Sequence, residues 1–477
     1  MRQALDHYRT LVIGGIYSCD EKITAESLRD VFFRALKHCI SVHPILSAVI
    51  LGEETEAPVF ARPRTLDLNN HISTFETGSG GKGKGEQDLI KSAFIHTHDQ
   101  PFNARDRIPP WKIVVVPLPS PVETSSKRYL ILFGYYHSHG DGKSGLAFHK
   151  SFVRGLSLAS DLDCRFTTDS IHETPDTPLL PPVEKAGRLT ISWSYLLTPV
   201  LGAYLPSFIA KPLNFRASAT PESHDQWRGN PTSYNPDDFR TCVEMLVVDN
   251  LELQKILTAC RERGAKFTGL FHQFIVRALS EALPEDGKAG SFVSQTAVDL
   301  RHLLNGITSD DMALIPTGYY ELFPRRQADA WKGWTVSGRE NPIWEAAIAT
   351  TNGLAKCAST LHDQPIGLLG YLTNFHSWTK AKIGELRDSS YELSNILSFN
   401  PGPTRPEDVW HVDTMLFSQP ANASGSCVNF NTVSRDGGDM VLMLSWQSGV
   451  LGLDDEQDFA ARVCASIRTS IDELCAA

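Results

Sequence analysis

The sequence has no surplus of positive charge, no paired cysteines and no long apolar run, and each absence removes a class of function. Lysine and arginine number 45 against 55 aspartate and glutamate, a net charge of −10. Nucleic-acid binding requires a basic patch or domain, so this balance argues against that partner. It also argues against docking on an anionic membrane through charge alone. The nine cysteines are odd in number and no two stand in a CxxC pair, which disfavours a disulfide framework and a zinc site. A reduced, intracellular setting is expected. With no apolar stretch near Met1 to act as a secretory leader, that setting is the cytoplasm. No run of about 18 apolar residues passes without a break. The nearest, 189–210, is interrupted by Pro199 and Pro206. It reads as a buried or surface-lying helix and leaves a peripheral membrane contact open. No short-period repeat is visible.

What remains is an ordinary globular composition, 42% hydrophobic and 21% charged over 477 residues. That length suits two or three domains. Apolar runs at 10–17, 45–51, 111–117 and 129–136 read as strands. Thr24 reads as the cap of a helix whose apolar face is Leu28, Val31, Phe32, Ala35, Leu36 and Cys39, ended by His43-Pro44. Residues 77–87 are a glycine-rich loop. After proline-rich stretches at 158–190 and 211–237, strands are expected at 241–248, 291–300, 428–430 and 440–446. Helices are expected at 251–263, stopped by Gly264, around 270–279, from Pro342, and at 453–474. Both halves mix strands and helices, so the class is α/β or α+β. The expected division is 1–190, a crossover 191–237, and 238–477.

The stretch Tyr135-Tyr-His-Ser-His-Gly-Asp-Gly-Lys-Ser-Gly145 follows a strand and precedes a helix. Gly142-Lys143-Ser144 suggests a P-loop, but the required glycine five residues earlier is His137. The loop at 78–84 has the spacing Gly78-x4-Gly83-Lys84, but Gly85 replaces the Ser/Thr that would hold magnesium. His137 and His139 could share a metal only with a third ligand, and Asp141 supplies one only if the turn folds back. A structural core histidine is the other bland reading of His137. A general base is the reading favoured here, because a neutral imidazole can take a hydroxyl proton near physiological pH. Asp141, aimed inward by its glycines, would need a cation, and Arg301 at the end of the strand is available.

His137-x3-Asp141-Gly142 resembles the HxxxDG motif of the CoA-dependent acyltransferase superfamily. That superfamily includes chloramphenicol acetyltransferase, the plant BAHD enzymes, peptide-synthetase condensation domains and fungal alcohol acetyltransferases. His43-Pro44-Ile-Leu46 resembles its HPxL turn, Phe267–His272 the start of its second-half helix, Asp299-Leu-Arg301 its DLR strand end and Glu392-Leu-Ser-Asn395 its S-N step. The plant DFGWG motif is absent, which favours the fungal branch. The resemblance implies two chloramphenicol-acetyltransferase-like domains with a tunnel between them. It implies direct transfer of an acyl group, without an acyl-enzyme, from acyl-CoA as co-substrate to an alcohol, such as a secondary-metabolite alcohol. No permanent cofactor and no metal are expected, and a monomer suffices. His137 is then the base and Asp141, Gly142 and Arg301 hold the turn. Ser394 and Asn395 are candidates for the oxyanion contact, or else cap a helix or turn, and His139 orients the turn or lines the tunnel. Two other readings stay open: a carrier-protein thioester donor, as in condensation domains, and a non-catalytic scaffold. Cys427 is read as a core thiol rather than a nucleophile. His272, His302, His376 and His411 are read as structural.

Overall fold

The computed structural model describes residues 2–19, 25–76, 85–119, 126–159, 166–210, 212, 220–221, 223–285, 289–331, 341–403, 405 and 408–476. The expected cap at Thr24, the loop spacing at 78–84 and part of the crossover lie outside them.

Two mixed sheets carry the two-domain α/β fold. The first runs in the order Trp410–Ser418, Leu11–Cys19, Lys127–Tyr135, Trp111–Leu118, Ile72–Thr74. The second runs Pro316–Pro324, Ser291–Asp299, Tyr391–Phe399, Val428–Arg435, Met440–Gln447, Thr241–Val248. The strand Trp410–Ser418 belongs by sequence to the expected 238–477 unit, yet it pairs with Leu11–Cys19, from Cys19↔Trp410 to Val12↔Ser418. The reason is physical: Leu11–Cys19 is buried almost throughout, and a buried strand cannot leave one row of amides and carbonyls unpaired. The halves of the chain therefore do not divide cleanly at residues 191–237.

Helices cover the outer faces. Ala25–Val42 and Gly142–Ala159 pack on the first sheet, with Phe32 against Phe152 and Phe133 stacked on Phe148 at 3.7 Å. Phe267–Ala282, Pro342–Ala358 and Glu456–Ala476 pack on the second. Their ends follow local rules. Asp249 and Glu252 form a capping box at Asn250–Arg263, and Gly264 closes that helix with φ 71°, a conformation costly for residues with a Cβ. Asn341 caps the helix that begins at Pro342. Between the sheets, Val12, Leu130 and Leu132 meet Val243, Met245, Val441 and Met443.

Local structure differs from the sequence reading in two places and decides one open alternative, that for 189–210. Residues 45–51 are a strand only over Val49–Leu51, because Pro44–Ser47 forms a 3-10 turn. Segment 189–210 forms Trp193–Tyr204 and Ser207–Ala210 and lies at the surface, with Trp193 78% and Phe208 76% exposed. Among the described residues no helix is long and apolar enough to cross a membrane. Helix Glu86–Asp99 and the strands Pro316–Pro324, Tyr391–Phe399 and Trp410–Ser418 are elements the sequence reading did not anticipate.

Candidate active site

The strand Lys127–Tyr135 ends against Leu11, and the chain then turns through a 3-10 step, His137–His139, into helix Gly142–Ala159. Gly142 is required by crowding. A Cβ there would fall 2.6 Å from Ile396 Cγ2 and 3.5 Å from Phe417 Cζ. Ile396 belongs to the second sheet and Phe417 to the strand that crosses to the first. The turn thus sits where the two sheets meet.

Asp141 and Arg301 are brought together from opposite halves of the chain. Arg301 Nη1 donates to Asp141 Oδ2 and Nη2 to Oδ1, both at 2.8 Å. Arg301 is 3% exposed and the Asp141 side chain 8%. The amide and hydroxyl of Ser144 add donors at 3.1 and 3.2 Å, and the Ile315 amide one at 3.2 Å. Arg301 also reaches Asp299, which pairs with Lys143 at 3.0 Å. These carboxylates raise the Arg301 pKa above its ordinary value despite burial. Every strong acceptor on Asp141 is thereby used. It braces the turn and is not free to relay a proton from His137.

His137 is the group left with reactive capacity. Its Nδ1 is buried without a hydrogen-bond partner of good geometry, and no described residue hydrogen-bonds its Nε2. Burial lowers its pKa, and the backbone carbonyls of His137 and Gly140 and the charge of Asp141 offset this only in part. The imidazole is therefore held neutral, the form that accepts a proton. The Tyr8 ring lies 5.6 Å from it.

The other candidate residues divide. His139 is sealed in the core, its Nε2 2.9 Å from the Ala48 carbonyl and its ring edge-on to Phe60. Burial pushes its pKa down to about 4. It holds the turn and has no face for substrate. Ser394 stands on strand Tyr391–Phe399 and is buried, and no described residue hydrogen-bonds its hydroxyl. Asn395 differs from expectation. Its Nδ2 donates to Thr268 Oγ1 at 3.1 Å and its Oδ1 accepts from the Leu397 amide at 2.9 Å, in a strand irregularity where Leu397 has φ 71°. Alternation along the strand turns Asn395 toward helix Phe267–Ala282, away from the His137 turn. Among the described residues no cluster of three His, Cys, Asp or Glu could hold a metal. Cys427 is buried with its thiol pushed up to about 12, which makes it a poor nucleophile. His272 is fixed by Tyr391 at 2.8 Å and Thr296 at 2.9 Å, and the imidazole of His302 by the Ala358 carbonyl. A surface cavity of about 530 Å³ lies beside Lys185, Arg188 and Tyr371, and none of His137, Asp141 and Arg301 lines it.

The family model for alcohol acetyltransferase matches residues 86–305, a span that includes both His137 and Arg301. These residues are similar to alcohol acetyltransferases, and the likeness supports an acyltransferase enzyme. A probable alcohol acetyltransferase of Fusarium pseudograminearum is 24% identical over 427 residues, 86% of this chain and 80% of the relative. One from Aspergillus fumigatus is 24% identical over 448 residues, 91% and 88%. Among solved structures, the trichothecene 15-O-acetyltransferase of Fusarium sporotrichioides superposes with a TM-score of 0.68 at 14% identity, covering 98% of this chain and 92% of that one. The first condensation domain of the calcium-dependent antibiotic synthetase does so at 0.58 and 13%, covering 98% and 94%. The alcohol-acetyltransferase-like chain thus has the chloramphenicol-acetyltransferase-like fold that its motif implied.

Glu392, Tyr8, Tyr320 and Gln419 were not singled out from the sequence. For Glu392 the signal was a glutamate in a strand that alternates polar and apolar residues, Tyr391-Glu-Leu-Ser.

Proposed function

We propose that this protein moves an acyl group from acyl-CoA to the hydroxyl of an alcohol, with His137 as general base. The observation that carries the reading is the placement of the His137 imidazole in the turn where the two sheets meet, next to a carboxylate fully engaged by Arg301, with burial favouring its neutral form. His137 Nε2 takes the hydroxyl proton as the alcohol oxygen attacks the thioester carbonyl carbon. The carbonyl π electrons move to oxygen, and the tetrahedral oxyanion needs a donor. When the intermediate collapses, the C–S bond breaks and the imidazolium returns its proton to the leaving thiolate. The products are an ester and free CoA, and His137 is neutral again. The fungal relatives and the trichothecene acetyltransferase support a secondary-metabolite alcohol as acceptor. Thiol release from acetyl-CoA, measured across a panel of alcohols and amines, tests the reading. Release with alcohols supports it, and no release with any acceptor overturns it.

Two further outcomes are expected. Ser394 is the oxyanion donor, because its hydroxyl is uncommitted and shares a strand with Ile396, which packs on Gly142. Ser394→Ala should lower kcat by about 10², the low end for removal of one such donor. A change in KM alone would assign it to binding instead. The pH profile follows from His137. Its pKa lies below 6.5 because burial penalises the charged form. The reactive neutral form is present above that pKa and is lost as pH falls through it. The acid limb of kcat/KM should therefore break below pH 6.5, and a break at higher pH would contradict a buried base.

A further inference from the structure

We infer that Glu392 reads the acceptor and selects alcohols that carry a second hydroxyl near the reacting one. The inference rests on the acyl-transfer reading above.

Glu392, Ser394 and Ile396 alternate along one face of their strand, while Tyr391 and Leu393 on the other face join the outer core. Ile396 packs on Gly142 of the His137 turn. Glu392 thus belongs to the face that looks toward the turn. Register adds neighbours, because directly paired residues share a face. Tyr320 opposes Gln295, Gln295 opposes Glu392, and Glu392 opposes Asn429. A polar row crosses the second sheet between two layers that are otherwise apolar.

The row connects to His137 from the other sheet. Gln419, just past strand Trp410–Ser418, donates from Nε2 to Glu392 Oε1 at 2.9 Å, and its Oε1 accepts from Tyr8 Oη at 3.5 Å. The Tyr8 ring is the one 5.6 Å from His137. Glu392 Oε2 takes no hydrogen bond from any described residue, and the Tyr320 hydroxyl makes none. The contrast with Asp141 and Asp299 is informative. Those carboxylates are paired with Arg301 or Lys143. Burial raises the Glu392 pKa, Gln419 and Arg2 offset this only in part, and Arg2 forms no ion pair with it. A carboxylate placed for stability would have a cation in contact. This one has an amide on one oxygen and a second oxygen free of protein partners, and that amide leads through Tyr8 to the His137 ring.

A substrate hydroxyl fits that vacancy in hydrogen bonding. It donates to Oε2 while its neighbour presents a proton to His137 Nε2. A simple aliphatic alcohol would shut Oε2 away from water without a donor, and sites built to bind a substrate hydroxyl discriminate strongly against analogues that lack it.

The test compares cyclohexanol with trans-1,2-cyclohexanediol at fixed acetyl-CoA, in the wild type, Glu392→Gln and Glu392→Ala. In the wild type, kcat/KM for the diol should exceed that for the mono-alcohol about tenfold, the upper range of one net hydrogen bond. In Glu392→Ala the ratio should fall toward one, chiefly through KM for the diol. Glu392→Gln keeps the shape and should retain the wild-type melting curve while the ratio drops at least fivefold. A wild-type ratio near one, or an unchanged ratio in both variants, overturns the role of Glu392 while thiol release leaves acyl transfer standing. Absence of thiol release with every alcohol removes acyl transfer itself, and this inference with it.

Discussion

His137→Ala should lower acyl transfer by about 10²–10⁴-fold, the usual contribution of a positioned general base, and leave the folded state intact. The imidazole occupies the head of a turn whose shape is set by other groups: the Asp141–Arg301 pair, Ser144 and the His139 bond to Ala48. Among the described residues its Nδ1 has only the poorly aligned His137 and Gly140 carbonyls to lose. His139→Ala should show the opposite balance. That side chain is sealed and bonded to backbone, so its loss should reduce stability and change kcat far less. Thiol-release kinetics and thermal melts on both variants separate the two. Full activity in His137→Ala would sink the assignment. A dead His139→Ala beside an active His137→Ala would name the wrong histidine.

Asp141→Ala should fail through stability. Removing one member of a buried ion pair typically costs about 3–5 kcal/mol, because the surviving charge stays in a poor solvent. Here Arg301 would keep Asp299 and the Ala313 carbonyl at 2.9 Å, while the Ser144 and Ile315 amides would lose their acceptor. Arg301→Ala should cost a similar amount by stranding Asp141. The double variant should be less damaging than the two losses added, with a coupling of about 0.5–3 kcal/mol. Urea unfolding of the four proteins gives that cycle. Additive losses would show that the pair, despite its two 2.8 Å bonds, does not act as a unit.

The elements legible in the sequence were those with strong local signals. Met440–Gln447 opens with an unbroken apolar run, and Gly264 and Asn341-Pro342 mark helix ends by chemistry that acts within one turn. The HxxxDG match located His137, and the strand-end arginine located the partner of Asp141. What stayed hidden depends on distant packing. Trp410–Ser418 reads as a mixed polar stretch after prolines, and it becomes a strand because Leu11–Cys19 needs a neighbour. Pro316–Pro324 carries proline at both ends and is a strand at the sheet edge, where a missing amide is tolerated. Glu392 has no visible role in its strand until register sets Gln295 and Asn429 beside it and Gln419 arrives from the other sheet. Asn395 appeared equivalent to Ser394, and only strand alternation separates the two.

The pairing of Val12 with Ser418 has a consequence for how the molecule is made. During synthesis the first sheet has all its other strands once Tyr135 has emerged, but its outer position stays vacant until Trp410–Ser418 follows. For most of translation Leu11–Cys19 is a bare, apolar edge, the kind of template that invites pairing with another nascent chain. Closing it requires contact across nearly the whole sequence, and such long-range closure slows folding. A fragment that stops before residue 410 would keep His137 and Arg301 but never finish the sheet that supports the base.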